Sequence, residues 1–144
     1  MTLHLQKLSV GSENIDTLRD WQKVVVRRRV RKGLTPHHQH VTRMTPKRSD
    51  ELLDGGSIYW VIKGLIICRN TIVSLDEART ADGRKACAIM MDPKIVPVVP
   101  TPKRPFQGWR YLKAEDAPAD LQSIGDTLNL PAHIRAKLVE LGAW

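Results

Sequence analysis

The chain has 144 residues, 42% of them hydrophobic and 26% charged, so one domain with its own core is expected and wholesale disorder is excluded. Its formal net charge of +8 favours nucleic acid or another anionic surface over an acidic protein as partner. No apolar run approaches the roughly 18 residues of a membrane span, and the first residues lack the layout of a signal peptide. We therefore predict a single cytoplasmic domain over residues 1–144 that contacts no membrane; the oligomeric state stays open.

The charge is sorted along the chain. Residues 21–49 contain nine basic side chains and no acidic one, and residues 93–114 contain five basic side chains and no acidic one. These two windows carry +14, so the other residues, with 9 basic and all 15 acidic side chains, carry −6. Sorted positive charge is typical of a protein that binds a polyanion, although it indicates no reaction.

The amino-terminal half predicts a strand followed by a helix. Alternating residues over 3–10 indicate a short strand. A helix is expected next, capped by Ser12 or Asn14. The β-branched and triple-arginine stretch at 24–29 is expected to weaken that helix before Gly33 ends it.

The remainder of the chain predicts short strands separated by turns, with helices after them. Strands are predicted over residues 40–44, 58–63, 65–73, 87–91 and 108–112. A helical turn is predicted over 47–53, and helices over 118–121 and 131–141. The valine-rich stretch 95–99 is interrupted by prolines, which predicts an edge strand or extended segment. The expected fold class is α+β, a small mixed or antiparallel β-barrel with flanking helices at both ends.

The first candidate site is the segment 40–48. Arg43, Lys47 and Arg48 are predicted to bind phosphates, and Thr42 is expected to add a short hydrogen bond. The alternative is a solvated basic edge in which Arg43 pairs with Asp50 or Glu51.

The second candidate site is the segment 103–111, where cations alternate with aromatic rings. Arg104 and Arg110 are expected to bind phosphates, Trp109 or Phe106 to stack on a base, and Gln107 to read a base edge. The alternative is that one face of this segment belongs to the core, with arginine stems covering the rings.

The chain offers no recognisable catalytic pattern. A nucleophile at Thr42 or Ser49 would need a nearby base, yet no known spacing is present. Cys68 lies in an apolar run typical of inert core. The histidines at 37, 38 and 40 lack a cysteine to complete a metal site and are typical of a surface loop. We therefore assign no catalytic residue and expect no metal and no cofactor.

Several long strings resemble a known family. They resemble an uncharacterised bacterial family, domain of unknown function 1489, over nearly the whole chain. Because that family has no known activity, the resemblance implies no catalytic residues. The strings are His40-Val41-Thr42-Arg43, Pro46-Lys47-Arg48, the run from Glu51 to Gly64, the run from Arg104 to Leu112, and Ala117-Pro118-Ala119-Asp120-Leu121.

A less specific resemblance concerns the PUA-like superfamily, which includes the ASCH and EVE modules. In those modules a Thr-x-Arg-like element precedes a Gly-Asp-type turn and two strands, much as Thr42-Arg43 here precedes Asp54-Gly55-Gly56 and the strands after it. The second glycine stands where those modules often have an acid. The resemblance implies a small pseudo-barrel that is frequently used on RNA or modified bases.

Three functions are therefore considered. The leading hypothesis is a nucleic-acid-binding domain, for RNA or modified bases, that uses a basic, aromatic-lined face. The first alternative is a small hydrolase acting on a nucleotide or modified nucleoside, with a pocket joining Thr42 or Lys47 to Glu51 or Asp54. The second alternative is a protein-interaction module that uses the stretch 95–102 as an edge.

Overall fold

The first half of the chain contains three strands and two helices. In a computed structural model, which describes residues 1–121, the predicted strands at 3–10, 40–44 and 58–63 are confirmed to within two residues at each end. The elements in order are β1 (Leu3–Leu8), α1 (Ile15–Arg31), β2 (His38–Thr42), α2 (Ser49–Leu52) and β3 (Ser57–Ile62).

The second half is a succession of strands. They are β4 (Leu65–Arg79), β5 (Lys85–Met91), β6 (Val96–Pro102) and β7 (Trp109–Lys113), and a short 3-10 turn (Ala114–Asp116) follows. β4 continues beyond its predicted end at Val73 because residues 74–79 pair with β5 as a hairpin. Gly83 closes that hairpin with a φ of 83°, a left-handed conformation that glycine adopts without strain.

α1 is stronger than its sequence predicted. Asn14 caps it, because its side chain accepts the N–H of Thr17 at 2.9 Å while the Thr17 hydroxyl accepts the N–H of Asn14 at 3.1 Å. The expected weakening at 24–29 does not interrupt the helix, which continues to Arg31. Arg29 donates to the Gln39 side chain at 2.7 Å and to the Thr35 hydroxyl at 3.0 Å, so its side chain is anchored to neutral groups beyond the end of the helix. Within residues 1–121 no helix has the length and apolar character needed to cross a membrane.

The strands form one mixed sheet. Its order is β2-β5-β4-β3-β1-β7, with β6 also pairing with β4. β1 and β3 are parallel, and the other pairs are antiparallel. The α+β class is confirmed, but the predicted barrel is wrong because the sheet does not close. The first part of β4 pairs with β3 and β6, and its second part pairs with β5. In the resulting strand order, β2 and β7 are the two end strands.

The helix predicted at 118–121 is also wrong. Ala119 accepts the N–H of Val99 at 2.9 Å, and Leu121 donates to the Pro97 carbonyl at 3.0 Å. Asp120 forms an isolated bridge with Val98. The segment is extended because it completes the hydrogen bonds of the β6 edge. The helix predicted at 131–141 lies outside the described residues.

Apolar side chains cover both faces of the sheet. β3 is buried along its whole length, and its side chains alternate between two clusters. Ile58, Trp60 and Ile62 join the larger cluster, which includes Leu18 of α1. Tyr59 and Val61 join the smaller cluster, which contains Leu112 of β7. The two faces of β7 therefore belong to different sides of the molecule.

A buried amide connects the helix to the sheet. Asn70 on β4 is fully buried, and its Oδ1 accepts from Gln22 at 3.0 Å and from the indole of Trp60 at 2.9 Å. Its Nδ2 donates to Gln22 at 3.0 Å and to the carbonyl of Asp92 at 2.9 Å. Because buried polar groups need partners, this network fixes the position of α1 on the sheet.

We expect the variant Asn70→Leu to lower the free energy of unfolding by about 2 kcal/mol, because it leaves buried polar groups without partners. Gln22→Leu is expected to have a smaller effect, since Asn70 keeps Trp60 and Asp92. In the double variant the two losses should fall short of their sum by about 1 kcal/mol, because one change removes the group that the other leaves unpaired. Urea denaturation measures all three variants. If the loss of unfolding free energy in the double variant equalled the sum of the two single losses, Asn70 and Gln22 would not form one coupled hydrogen-bond network.

Candidate functional site at the β7 edge

The two basic segments of the sequence meet at β7. The indole N–H of Trp109 donates to the Met44 carbonyl at 2.7 Å. The phenol oxygen of Tyr111 accepts the backbone N–H groups of Lys47 at 3.0 Å and Arg48 at 3.2 Å. Two side chains of one strand thus hold the segment 44–48, which lies more than sixty residues away in sequence.

On this side of β7 the cations differ in their freedom to bind a ligand. Arg48 pairs with Glu51, and its guanidinium lies 5.6 Å from the centre of the Tyr111 ring. The hydrogen bond between the side chains of Arg48 and Glu51 raises the pKa of Arg48 and lowers the pKa of Glu51. Arg43 and Lys47 are exposed, and among residues 1–121 neither has an ion-pair partner. Arg43 and Lys47 can therefore bind an anion without breaking an ion pair within the described residues, whereas Arg48 would have to break its ion pair with Glu51.

The opposite side of β7 has a second group of cations. A shallow pocket of about 480 Å³ is lined by Lys103, Arg104, Arg110 and Phe106, together with Pro102 and Pro105. Among residues 1–121, no acidic residue lines it. The guanidinium of Arg110 lies 5.2 Å from the centre of the Phe106 ring, an attractive cation–π arrangement. Gln107, next to this ring in the chain, is exposed.

Alternation along β7 separates the two groups. Trp109 and Tyr111 face the segment 44–48, so Arg110 and Leu112 face the other side. Trp109 is only 8% exposed and uses its N–H on Met44, which places it in the core rather than on a stacking surface. Thr42 is buried as well. Of the predicted contacts, the structure leaves accessible the four cations other than Arg48, together with Phe106 and Gln107. Those cations are Arg43, Lys47, Arg104 and Arg110.

Comparison with known sequences decides the family. A family described as "Protein of unknown function (DUF1489)" matches residues 5–144. The chain belongs to the DUF1489 family. No curated protein and no solved structure matches it. Within this family the β7 edge must therefore be interpreted from its own geometry.

The hydrolase alternative required a different arrangement in this DUF1489 chain. Glu51 is paired with Arg48, and Asp54 lies 3.5 Å from the amino terminus. Thr42 lies on β2, where it pairs with Cys87. Within residues 1–121 no hydrogen bond or ion pair joins Thr42 or the Lys47 side chain to either carboxylate. The candidate catalytic groups are thus not assembled.

The interaction-module alternative required a free β6 edge. β6 pairs with β4 on one side, and residues 119–121 occupy part of its other side. The chain itself therefore covers part of the edge that a partner would need.

His38, Cys68 and Cys87 lie in the interior. His38 is 2% exposed, so the expectation of a surface loop is wrong for it, and it shares one face of β2 with the half-buried His40. In the part of the chain described, no three histidine, cysteine or carboxylate groups are close enough to hold a metal ion. Cys68 is buried as expected for inert core, and burial raises the pKa of its thiol to about 12.

Sequence reasoning missed one basic feature. Lys23 and Arg27 of α1 line a groove against the loop at 92–95. Their spacing of four residues, shared with Arg19, is a signal visible in the sequence.

Proposed function

We propose that this DUF1489 protein binds single-stranded RNA across the β7 edge. The observation that carries the proposal is the pocket lined by Lys103, Arg104 and Arg110, to which no acidic residue in the described part of the chain contributes. It lies on the opposite side of the strand whose Trp109 and Tyr111 hold the segment 44–48, which contains Lys47 and directly follows Arg43. Phosphate groups are the polyanion that such isolated cations bind best in a cell, since Arg and Lys side chains match phosphate in charge and hydrogen-bonding geometry.

The placement of these cations favours a flexible strand over a duplex. The two groups of cations lie on opposite faces of β7, and β7 is the last strand in the sheet order, so a ligand reaches both groups by passing around one strand edge. A single strand can bend around this edge and present successive phosphates to both sides. A duplex is too stiff to do so.

The ring of Phe106 and the plane of Arg110 supply a place for a base. Phe106 is half-buried beneath the guanidinium, so the exposed face of that guanidinium is the stacking surface. Bases in single-stranded RNA stack on such planes, and Gln107 is positioned nearby to meet a base edge. The preference for RNA also draws on the resemblance of Thr42-Arg43 and the turn after it to PUA-like modules.

The test is fluorescence anisotropy with a labelled dodecauridylate at several salt concentrations between 50 and 200 mM. Loss of two phosphate contacts in Arg104→Gln/Arg110→Gln should weaken binding about tenfold. It should also reduce the slope of log K against log salt by about 1.4, because each contact with a single strand releases about 0.7 counterion. Arg43→Gln/Lys47→Gln should lower the affinity and the salt slope by the same amounts as Arg104→Gln/Arg110→Gln if the RNA contacts both sides of β7.

The matched control is Arg84→Gln/Lys85→Gln, which removes the same charge from exposed positions on the β4–β5 hairpin. This pair should change the affinity less than twofold. The proposal fails if the control weakens binding as much as the edge variants do, because the effect is then one of net charge. It also fails if a duplex of equal length binds as tightly as the single strand.

A further inference from the structure

A groove of about 620 Å³ lies between α1 and the loop that joins β5 to β6. Its volume falls within the range of roughly 300–1,000 Å³ that is usual for small-molecule sites. Its described lining residues include none of those that line the pocket at β7 and none from the segment 44–48, so the groove is a separate site. Nothing in the function proposed above uses it.

The groove is strongly basic. Arg19, Lys23 and Arg27 stand in one row along α1, and Lys94 faces them from the loop. Asp92, the one acidic residue within 1–121 that lines it, is turned to its own loop, where its carboxylate accepts the N–H of Lys94 at 2.9 Å. Arg19 is held by Asp16 at 2.9 Å. Among residues 1–121, Lys23, Arg27 and Lys94 have no ion-pair partner, so three cations converge on the groove.

Both walls of the groove are tied to the same buried side chain. On the helix wall, the side chains of Asn70 and Gln22 each donate one hydrogen bond to the other, both at 3.0 Å. It also donates to the carbonyls of Asp92 at 2.9 Å and Lys94 at 3.5 Å on the loop wall. The separation of the cations is therefore set before a ligand arrives, which reduces the entropy lost on binding.

The space between the cations is apolar. Val26 of α1 and Ile95 of the loop are half-buried there, and Pro93 completes the lining. A simple inorganic anion would use the charges but leave these side chains uncovered. The lining fits a ligand that joins a phosphate group to a flat apolar body.

We propose that this groove binds an organic phosphate with the chemistry of a nucleotide. Its phosphates lie among Lys23, Arg27 and Lys94, and its base lies against Val26 and Ile95. The ligand is either a free nucleotide or the terminal nucleotide of a strand, since both present this chemistry. The proposal is independent of RNA binding at the β7 edge.

Calorimetric titration of the full chain with adenosine 5′-diphosphate, pyrophosphate and adenosine tests it. The nucleotide should bind at least about tenfold more tightly than either part, because only the whole molecule meets both the cations and the apolar lining. Lys23→Gln/Lys94→Gln should weaken nucleotide binding about tenfold. Arg31→Gln/Lys32→Gln, an equal loss of charge at exposed positions of the same helix end, should change it less than twofold.

Three results would overturn the proposal: no binding of the nucleotide, equal affinity for pyrophosphate, or equal losses in the groove and control pairs. The source of the ligand is separated by titrating a 5′-phosphorylated decauridylate into the same variants. If Lys23→Gln/Lys94→Gln removes the affinity that the 5′-phosphate adds to the decauridylate, the terminal nucleotide of a strand is assigned, whereas an effect on the free nucleotide alone assigns a small ligand. Arg104→Gln/Arg110→Gln should leave nucleotide binding unchanged, so failure of this site and failure of the β7 site are distinguishable.

Discussion

Acidification from pH 7 to pH 4 is expected to lower the free energy of unfolding by about 3 kcal/mol for each of two histidines on β2, the buried His38 and the half-buried His40. Burial lowers the pKa of His38 to about 4, with a smaller contribution from His40. Burial likewise lowers the pKa of His40 to about 4, with a smaller contribution from the charge of Lys7. Two such losses together are comparable with the whole stability of an ordinary domain, so unfolding near pH 4 is expected.

The contacts of the two rings explain why protonation is unfavourable. The ring of His40 meets the Trp60 ring edge-on, with centroids 5.7 Å apart. Within residues 1–121 neither Nδ1 of His38 nor Nε2 of His40 has a hydrogen-bond partner. A protonated imidazole has two N–H donors, so the added proton would be buried without an acceptor.

The sign of the effect follows from the direction of the pKa shift. As the pH falls below about 6.5, the unfolded chain binds protons at both histidines while the folded chain does not. Stability is therefore full above pH 6.5, falls between pH 6.5 and pH 4, and changes little below that because of these groups.

Urea denaturation at pH 7, 5.5 and 4 measures this loss. His38→Leu/His40→Leu should remove most of the decline between pH 6.5 and pH 4, because no group with a lowered pKa remains on β2. His37→Leu is the control, since His37 sits on the adjoining loop beside the Thr35 hydroxyl at 2.8 Å and should leave the decline unchanged. An undiminished decline in the double variant would show that other groups cause it.

The burial of these histidines illustrates what the sequence could not specify. The strand β2 reads His-Gln-His-Val-Thr, so polar and apolar residues do not alternate and neither face is marked as interior. Pairing with β5, nearly fifty residues later, decides that His38 faces inward. For β3 the local pattern was sufficient, because a short run rich in β-branched and aromatic residues follows a turn. The strand predicted there agrees with β3 to within one residue at each end.

The candidate site was predictable to a similar extent. The sorting of charge pointed to the two segments, and the structure brings them into contact through Trp109 and Tyr111. It was not possible to tell which ring of the second segment lies in the core, because either face of an edge strand can be covered. The alternative interpretation of the first segment paired Arg43 with Asp50 or Glu51, yet Arg48 is the residue that pairs with Glu51, three positions further along the chain.

The closed barrel and the helix at 118–121 failed for a common reason. Both depend on which strand edges find partners far away in sequence. Once β4 pairs with β6 and β5 in succession, the β6 edge needs hydrogen bonds, and residues 119–121 supply them in extended form. Local propensity does not contain this requirement.

Substitution of Gly56 by alanine is expected to be the most damaging single change at the turn before β3. A Cβ there would lie far inside van der Waals contact with the carbonyl oxygens of Leu3 and Leu52, which are backbone atoms that cannot rotate away. The backbone of Gly56 also donates to Leu52 at 3.0 Å and accepts from Ile72 at 2.9 Å, so it cannot move without breaking the contacts of β1, α2 and β4. The loss of unfolding free energy should be about 3 kcal/mol or more.

Gly55→Ala is the matched control, because the same methyl group is added one residue earlier. Gly55 has a φ of 78°, and its nearest neighbour would be the Thr2 hydroxyl at 4.0 Å, so backbone strain of about 1 kcal/mol is the only expected penalty. Thermal denaturation of both variants tests the difference. If both variants lost the same unfolding free energy, backbone strain would explain why glycine is needed at this turn. The close packing of three chain segments on Gly56 would then not be the reason. A much larger loss at Gly56 would show that this turn is a packing point that holds α2, and with it the Arg48–Tyr111 contact, against the sheet.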